Sequence, residues 1–217
     1  MVNIVWLGHA CFTLRGETKK LIFDPFKGTG LKEPSEKADV ILCSHSHSDH
    51  NNVRVVKHDK SVVLEGFTGV KHIDSVSIRG ITTFHDGAKG SQRGRNSVYT
   101  VRFEDITFCH LGDLGHELSQ SQVGEIGQVD VLFILVGGFY TIGPQQARKV
   151  VESLKPRITV PMHYKLPNMS ATFDALSTVE DFIRTGDNVK RLDGPSFTVT
   201  KADLQEKEAI IVPKLGR

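Results

Sequence analysis

The segment His45-Ser46-His47-Ser48-Asp49-His50 puts three imidazoles and a carboxylate within six residues. Imidazole and carboxylate are the ligand types that suit zinc and related first-row metals, and side chains this close in sequence converge only where the backbone turns. Further candidates lie downstream at His85, in the run His110-Leu111-Gly112-Asp113, and at His163, each at the exit of a predicted strand. If those exits lie side by side, the set holds two metals. Two cations roughly 3.5–4 Å apart lower the pKa of a shared water enough to hold hydroxide near neutral pH, and they polarise a carbonyl or phosphoryl oxygen under attack. The plainer alternative is a solvated loop that happens to be rich in histidine. Its position just past a buried strand, where α/β folds carry their sites, argues against that. With ten histidines and only three cysteines, at 11, 43 and 109, neither a CxxC pair nor a disulfide framework is available, so any metal chemistry runs on imidazole.

HSHSDH followed by HLGD and then PMHY resembles the HxHxDH, GD and late-His signature of the metallo-β-lactamase superfamily. The segments WLGHACF, IFDPF, HLGDLGHELS, VGGFYTIGPQQA and PMHYK are similar to its branch of small metal-dependent hydrolases related to ascorbate-6-phosphate lactonase. The resemblance runs from about Val2 to Tyr164. It implies an α/β (α+β) fold of the four-layer αβ/βα sandwich type, and a cofactor of two divalent ions, zinc first, with manganese or iron as alternatives. It assigns His45, His47 and one later histidine to metal 1, Asp49, His50 and His163 to metal 2, and Asp113 as the bridge. The third ligand of metal 1 stays open between His85 and His110. His85 is favoured, because the third histidine of GD-type branches lies upstream, and because a strand residue three positions from Asp113 faces the opposite side of the sheet.

The implied activity is hydrolysis of a lactone, ester or phosphoester by a metal-bound hydroxide. Asp49 would orient the hydroxide and relay its proton, and Tyr164 would donate to a substrate oxygen. The competing readings of Tyr164 and of Asp24 in IFDPF are a packed ring and a turn-forming carboxylate. If functional, Asp24 would anchor the outer nitrogen of a ligating imidazole. His116 and His9 are read as neighbours of the site, with His9 holding a turn rather than a metal. The loop after His85 carries Lys89, Arg93 and Arg95 against Asp86, and it reads either as a mobile solvated loop or as one whose Gly87, Gly90 and Gly94 let its amides turn toward a phosphate or carboxylate. The same signature also occurs in nucleases and in iron-dependent oxidoreductases or sulfur dioxygenases. A formal charge of only +2 disfavours a nucleic-acid partner and leaves a small molecule as the expected one.

These residues need elements to carry them. Short β-type runs at Asn3–Leu7, Cys11–Arg15 and Lys20–Asp24 read as an antiparallel meander, and Ala38–Cys43 as a strand buried on both faces. Strands are also expected at Val62–Leu64, Val76–Thr83, Ser97–Phe103, Ile106–His110, Val129–Val136, Ile158–Val160, Phe197–Thr200 and Ala209–Val212. Helices are expected after Ser119, from Pro144 to Leu154, and from Phe173 to Arg184. No low-complexity linker divides the 217 residues, so one domain spanning 1–217 is expected. No apolar run approaches the roughly 18–20 residues of a membrane span, and the first residues lack a secretory pattern. A cytoplasmic protein follows as the expectation, while self-association stays open.

Overall fold

Side-chain alternation gives the first sheet two apolar faces, as the pleat requires. The computed structural model describes residues 1–184, 186–206 and 208–216. In β1 (Val2–Gly8), β2 (Cys11–Arg15), β3 (Lys20–Phe23) and β4 (Ala38–Cys43), the residues Ile4, Trp6, Phe12, Leu14, Leu21, Phe23, Val40 and Leu42 enter the main core. The residues between them, Cys11, Ile22, Ile41 and Cys43, pack on the other face with Val56 of the short helix α1 (Val53–Val56). The three cysteines are free and buried.

β5 (Lys57–Glu65) completes this side, and β6 (Gly69–Ile73), β7 (Val76–Phe84), β8 (Arg95–Phe103) and β9 (Ile106–His110) begin the second sheet. After them come α2 (Gln120–Ile126), β10 (Val131–Leu135), α3 (Pro144–Leu154), β11 (Ile158–Met162), α4 (Val179–Ile183), β12 (Val189–Arg191), β13 (Ser196–Val199) and β14 (Ala209–Val212). The sheets have the orders β13-β1-β2-β3-β4-β5 and β12-β14-β11-β10-β9-β8-β7-β6. They face each other across the core, where Phe12 stacks on Phe133 with ring centroids 4.2 Å apart. The Tyr99 hydroxyl fastens them, donating to the Cys43 carbonyl at 3.0 Å and accepting from the Phe67 amide at 3.0 Å.

Strand direction brings the candidate ligands to one edge. β1 and β3 each run antiparallel to β2, and β3 and β4 are parallel, so β1, β3 and β4 all end on the same side. The same holds in the second sheet. β7 and β9 are each antiparallel to β8, and β9, β10 and β11 are mutually parallel. The residues following these strands are therefore neighbours despite their separation in sequence.

Two expectations change. The helix expected over Phe173–Arg184 is broken into a 3-10 turn, Ala171–Phe173, and α4. Thr178 restarts the helix as its N-cap, with its amide and hydroxyl both donating to Asp181. Phe173 and Leu176 meanwhile pack with Met169 in a separate apolar cluster. The edge strands β6 and β12 escaped the sequence pattern because β6 is largely exposed and β12 has only three residues. Among the described residues, no helix is long and apolar enough to cross a membrane.

Candidate metal centre

The centre is built around Asp113, which follows β9 in a turn that needs glycine. Gly112 has φ 56°, and a Cβ there would strike the Asn96 amide oxygen and the Ser44 side chain. Asn96 holds the turn: its Oδ1 accepts from the Asp113 amide at 2.9 Å, and its side-chain NH2 donates to Leu111 O and Thr83 Oγ1. Buried Asp113 then meets His85 Nε2 at 3.1 Å, His50 Nε2 at 3.2 Å, His163 Nε2 at 3.4 Å and His45 Nε2 at 4.0 Å through one carboxylate oxygen. Burial alone would raise its pKa, yet His163 and His50 hold it far below the usual carboxylate range.

The ligand-type atoms fall into groups on either side of this carboxylate. Those of His45, His47 and His85 lie within 4.8 Å of one another, as do those of His9, Asp49, His50 and His163. His45 Nε2 and His47 Nδ1 are 3.0 Å apart. His110 is elsewhere. It is buried with its ring stacked on Phe23 at 4.9 Å, and its Nε2 donates to the Ala10 carbonyl while Nδ1 accepts from the Gly112 amide.

Asp24 sets which ring nitrogens face inward. Fully buried, it accepts from the Ser44 amide at 2.7 Å, the Ser44 hydroxyl at 2.7 Å and His50 Nδ1 at 2.8 Å. Because the Ser44 hydroxyl spends its proton on Asp24, its oxygen accepts from His45 Nδ1 at 2.9 Å. Both rings thus carry their proton on Nδ1 and turn Nε2 toward Asp113, the arrangement a ligating imidazole requires. Three residues of the centre hold left-handed φ: His9 (51°), Asp24 (41°) and His163 (51°).

The donors fit a cation. Among the described residues, eight buried side-chain polar atoms lack a hydrogen-bond partner; six belong to the centre, and of these His9 Nε2, His50 Nε2 and Asp113 Oδ1 can face an ion, while His85 Nδ1 and His163 Nδ1 are the outer nitrogens of rings whose Nε2 faces Asp113. Buried orphans on this scale are costly unless something binds them. Desolvation, then His163, lowers the His9 pKa to about 4, and desolvation, then His50, lowers that of His45 to about 3, whereas for His50 and His85 the Asp113 carboxylate outweighs desolvation and raises the pKa.

A cavity of about 180 Å³ opens onto this centre, lined by His47, Asp49, His85, Arg93, Asp113, Tyr140, His163, Thr172 and Phe173. Of the three basic residues expected to meet a ligand, Arg93 lines the cavity, with its guanidinium 4.3 Å over the Tyr140 ring, while Lys89 and Arg95 do not. The loop amides also depart from expectation. Those of Ala88, Gly90, Gln92 and Arg93 all donate to Asp86, at 2.7–3.1 Å, so the loop closes on its own carboxylate rather than on a ligand. Asp86→Ala is expected to speed hydrogen exchange of these four amides at least about tenfold. Unchanged protection would show that the loop is held by something else.

Tyr164 packs against Trp6, ring centroids 5.4 Å apart, and lines a separate groove, with burial pushing its phenol up. Tyr140, inside the VGGFYTIGPQQA segment, takes the place at the cavity, and its hydroxyl donates to the Thr172 carbonyl at 3.1 Å. His116 accepts from the Phe84 amide at 3.2 Å, steadying the chain just before His85.

Comparison with known proteins gives a consistent pattern. The family described as "Beta-lactamase superfamily domain" matches residues 3–163. A UPF0173 metal-dependent hydrolase of Pyrococcus horikoshii is 32% identical over 200 residues, covering 79% of this chain and 88% of its own length. A crystal structure from Thermotoga maritima, assigned to the Zn-dependent hydrolases of the metallo-beta-lactamase superfamily, aligns with a TM-score of 0.82 and 36% identity over 98% of this chain and 99% of its own. CmlA, a diiron beta-hydroxylase from Streptomyces venezuelae, aligns with a TM-score of 0.61 at 16% identity, over 84% of this chain and 49% of its own, a likeness of fold alone.

Proposed function

The chain belongs to the beta-lactamase superfamily domain family, and from that premise we propose that it is a metal-dependent hydrolase holding two divalent ions, zinc in the first instance, and cleaving a small anionic ester, lactone or phosphoester. The observation that carries this is the position of Asp113 between two groups of ligand-type atoms, one of His45, His47 and His85, the other including Asp49, His50 and His163. His45, His47 and His85 would hold the first ion, Asp49, His50 and His163 the second, with Asp113 shared.

When bound, such ions acidify a water and polarise the bond under attack. The protein's own residues do the rest. Asp49, with about a quarter of its side chain open to solvent, faces the cavity and can take and pass on the proton released at the nucleophile. Asp24 and Ser44 keep His50 and His45 in the ligating tautomer. Arg93, braced by Tyr140, offers a fixed cation to an anionic substrate, and a cavity this small suits a compact molecule rather than a polymer.

The test is to purify the protein without added metal, count and identify its ions, and assay lactones, phosphodiesters and thioesters in charged and neutral forms. About two ions per chain and hydrolysis of an anionic member are expected. Arg93→Ala should raise KM for that substrate about tenfold or more and leave a neutral ester nearly unaffected. Equal effects on both would remove the anionic-substrate reading.

A further inference from the structure

We propose that His9 is a protein ligand of the second metal position, adding an imidazole from the β1–β2 turn to Asp49, His50 and His163. This rests on reading the cluster as a two-metal centre, but it concerns a residue that the HxHxDH, GD and late-His pattern does not contain.

His9 is fully buried, and both of its ring nitrogens lack a hydrogen-bond partner. Its Nε2 is 3.3 Å from Asp49 Oδ2 without hydrogen-bond geometry, a separation natural for two donors on one ion. Aromatic edges close the ring off elsewhere, with Phe26 at 6.2 Å and Phe173 at 5.2 Å between centroids. A neutral imidazole walled by apolar rings and left without a partner is an unfavourable arrangement for a residue that merely shapes a turn.

The backbone fixes the place of the ring. His9 occupies left-handed φ, which histidine, like asparagine and aspartate, adopts more readily than most side chains. The conformation is pinned by two donors to one carbonyl: the Trp6 indole at 3.1 Å and the amide of His163 at 3.1 Å. The turn is thereby tied to the segment that carries another ligand of the same ion. The His9 and His163 rings lie 4.2 Å apart, and His9 and His50 4.9 Å.

Two measurements test this. In the wild-type protein labelled with 15N-histidine, zinc titration followed by long-range 1H–15N correlation should move a His9 ring nitrogen to the shift of a coordinated one. In His9→Asn, which tolerates the left-handed turn, chelator competition and metal counting should show the second ion bound at least about tenfold more weakly while the first is kept. A wild type that binds two ions with the His9 nitrogens unmoved would overturn this inference alone, and so would a folded His9→Asn protein with both affinities unchanged. A wild type that binds no ion would overturn it together with the hydrolase reading. Should His9→Asn fail to fold, the wild-type spectrum decides.

Discussion

Asp113→Asn is expected to abolish the activity while leaving the fold in place. The substitution keeps shape and volume, and the backbone amide of residue 113 keeps its bond to Asn96. What it removes is the negative charge that faces His85, His50 and His163 within 3.4 Å. An amide cannot bridge two cations as a carboxylate does, and shared-metal stabilisation of the transition state is worth several kcal/mol. The expected loss in kcat/KM is therefore about a thousandfold or more. Metal content should fall below two ions per chain, with a circular dichroism spectrum like that of the wild type. Activity that persists unchanged in this variant would refute the dinuclear mechanism.

Asp24→Ala carries the largest expected cost in stability. The carboxylate lies outside the cavity lining, yet it receives three donors in a fully buried setting: the Ser44 amide, the Ser44 hydroxyl and His50 Nδ1. Removing it strands all of them. Breaking a buried charged arrangement by deleting one partner costs about 3–5 kcal/mol, a large part of a domain's stability. The same change frees His50 and His45 to adopt the wrong tautomer, so metal affinity should drop about 10- to 100-fold. Chemical denaturation and a metal competition titration measure the two effects. If stability fell while affinity stayed the same, Asp24 would be a structural anchor with no bearing on the ligands.

Much of the centre was legible in the chain. HSHSDH declares its chemistry because six consecutive residues supply most of the ligand types, and the apolar run ADVILC before it marks the strand that must deliver it. Asp24 could be suspected from the family's early Asp, but as a turn former it would have looked the same; only its three buried donors separate the roles. Tyr164 illustrates the converse. Adjacent to His163 in sequence, it packs on Trp6, whereas Tyr140, from the loop after β10, lines the cavity beneath Arg93. Nothing local distinguishes those two phenols. The glycine-rich loop likewise has an obvious composition, but its amides were free to serve either a ligand or Asp86, and the choice depends on backbone torsions that composition does not specify.

The sequence by itself determined the ligand types, the strands that present them and the family they resemble, because those follow from residue chemistry and from periodicities of two and 3.6. Which strand ends become neighbours was decided by tertiary structure alone. Two antiparallel steps return β3 to the direction of β1 and β9 to that of β7, which sets His85 against Asp113 within one sheet, and the facing of the two sheets sets His9 against His163. Packing also places the histidines whose roles the motif leaves open: it turns His85 and His9 inward and stacks His110 on Phe23.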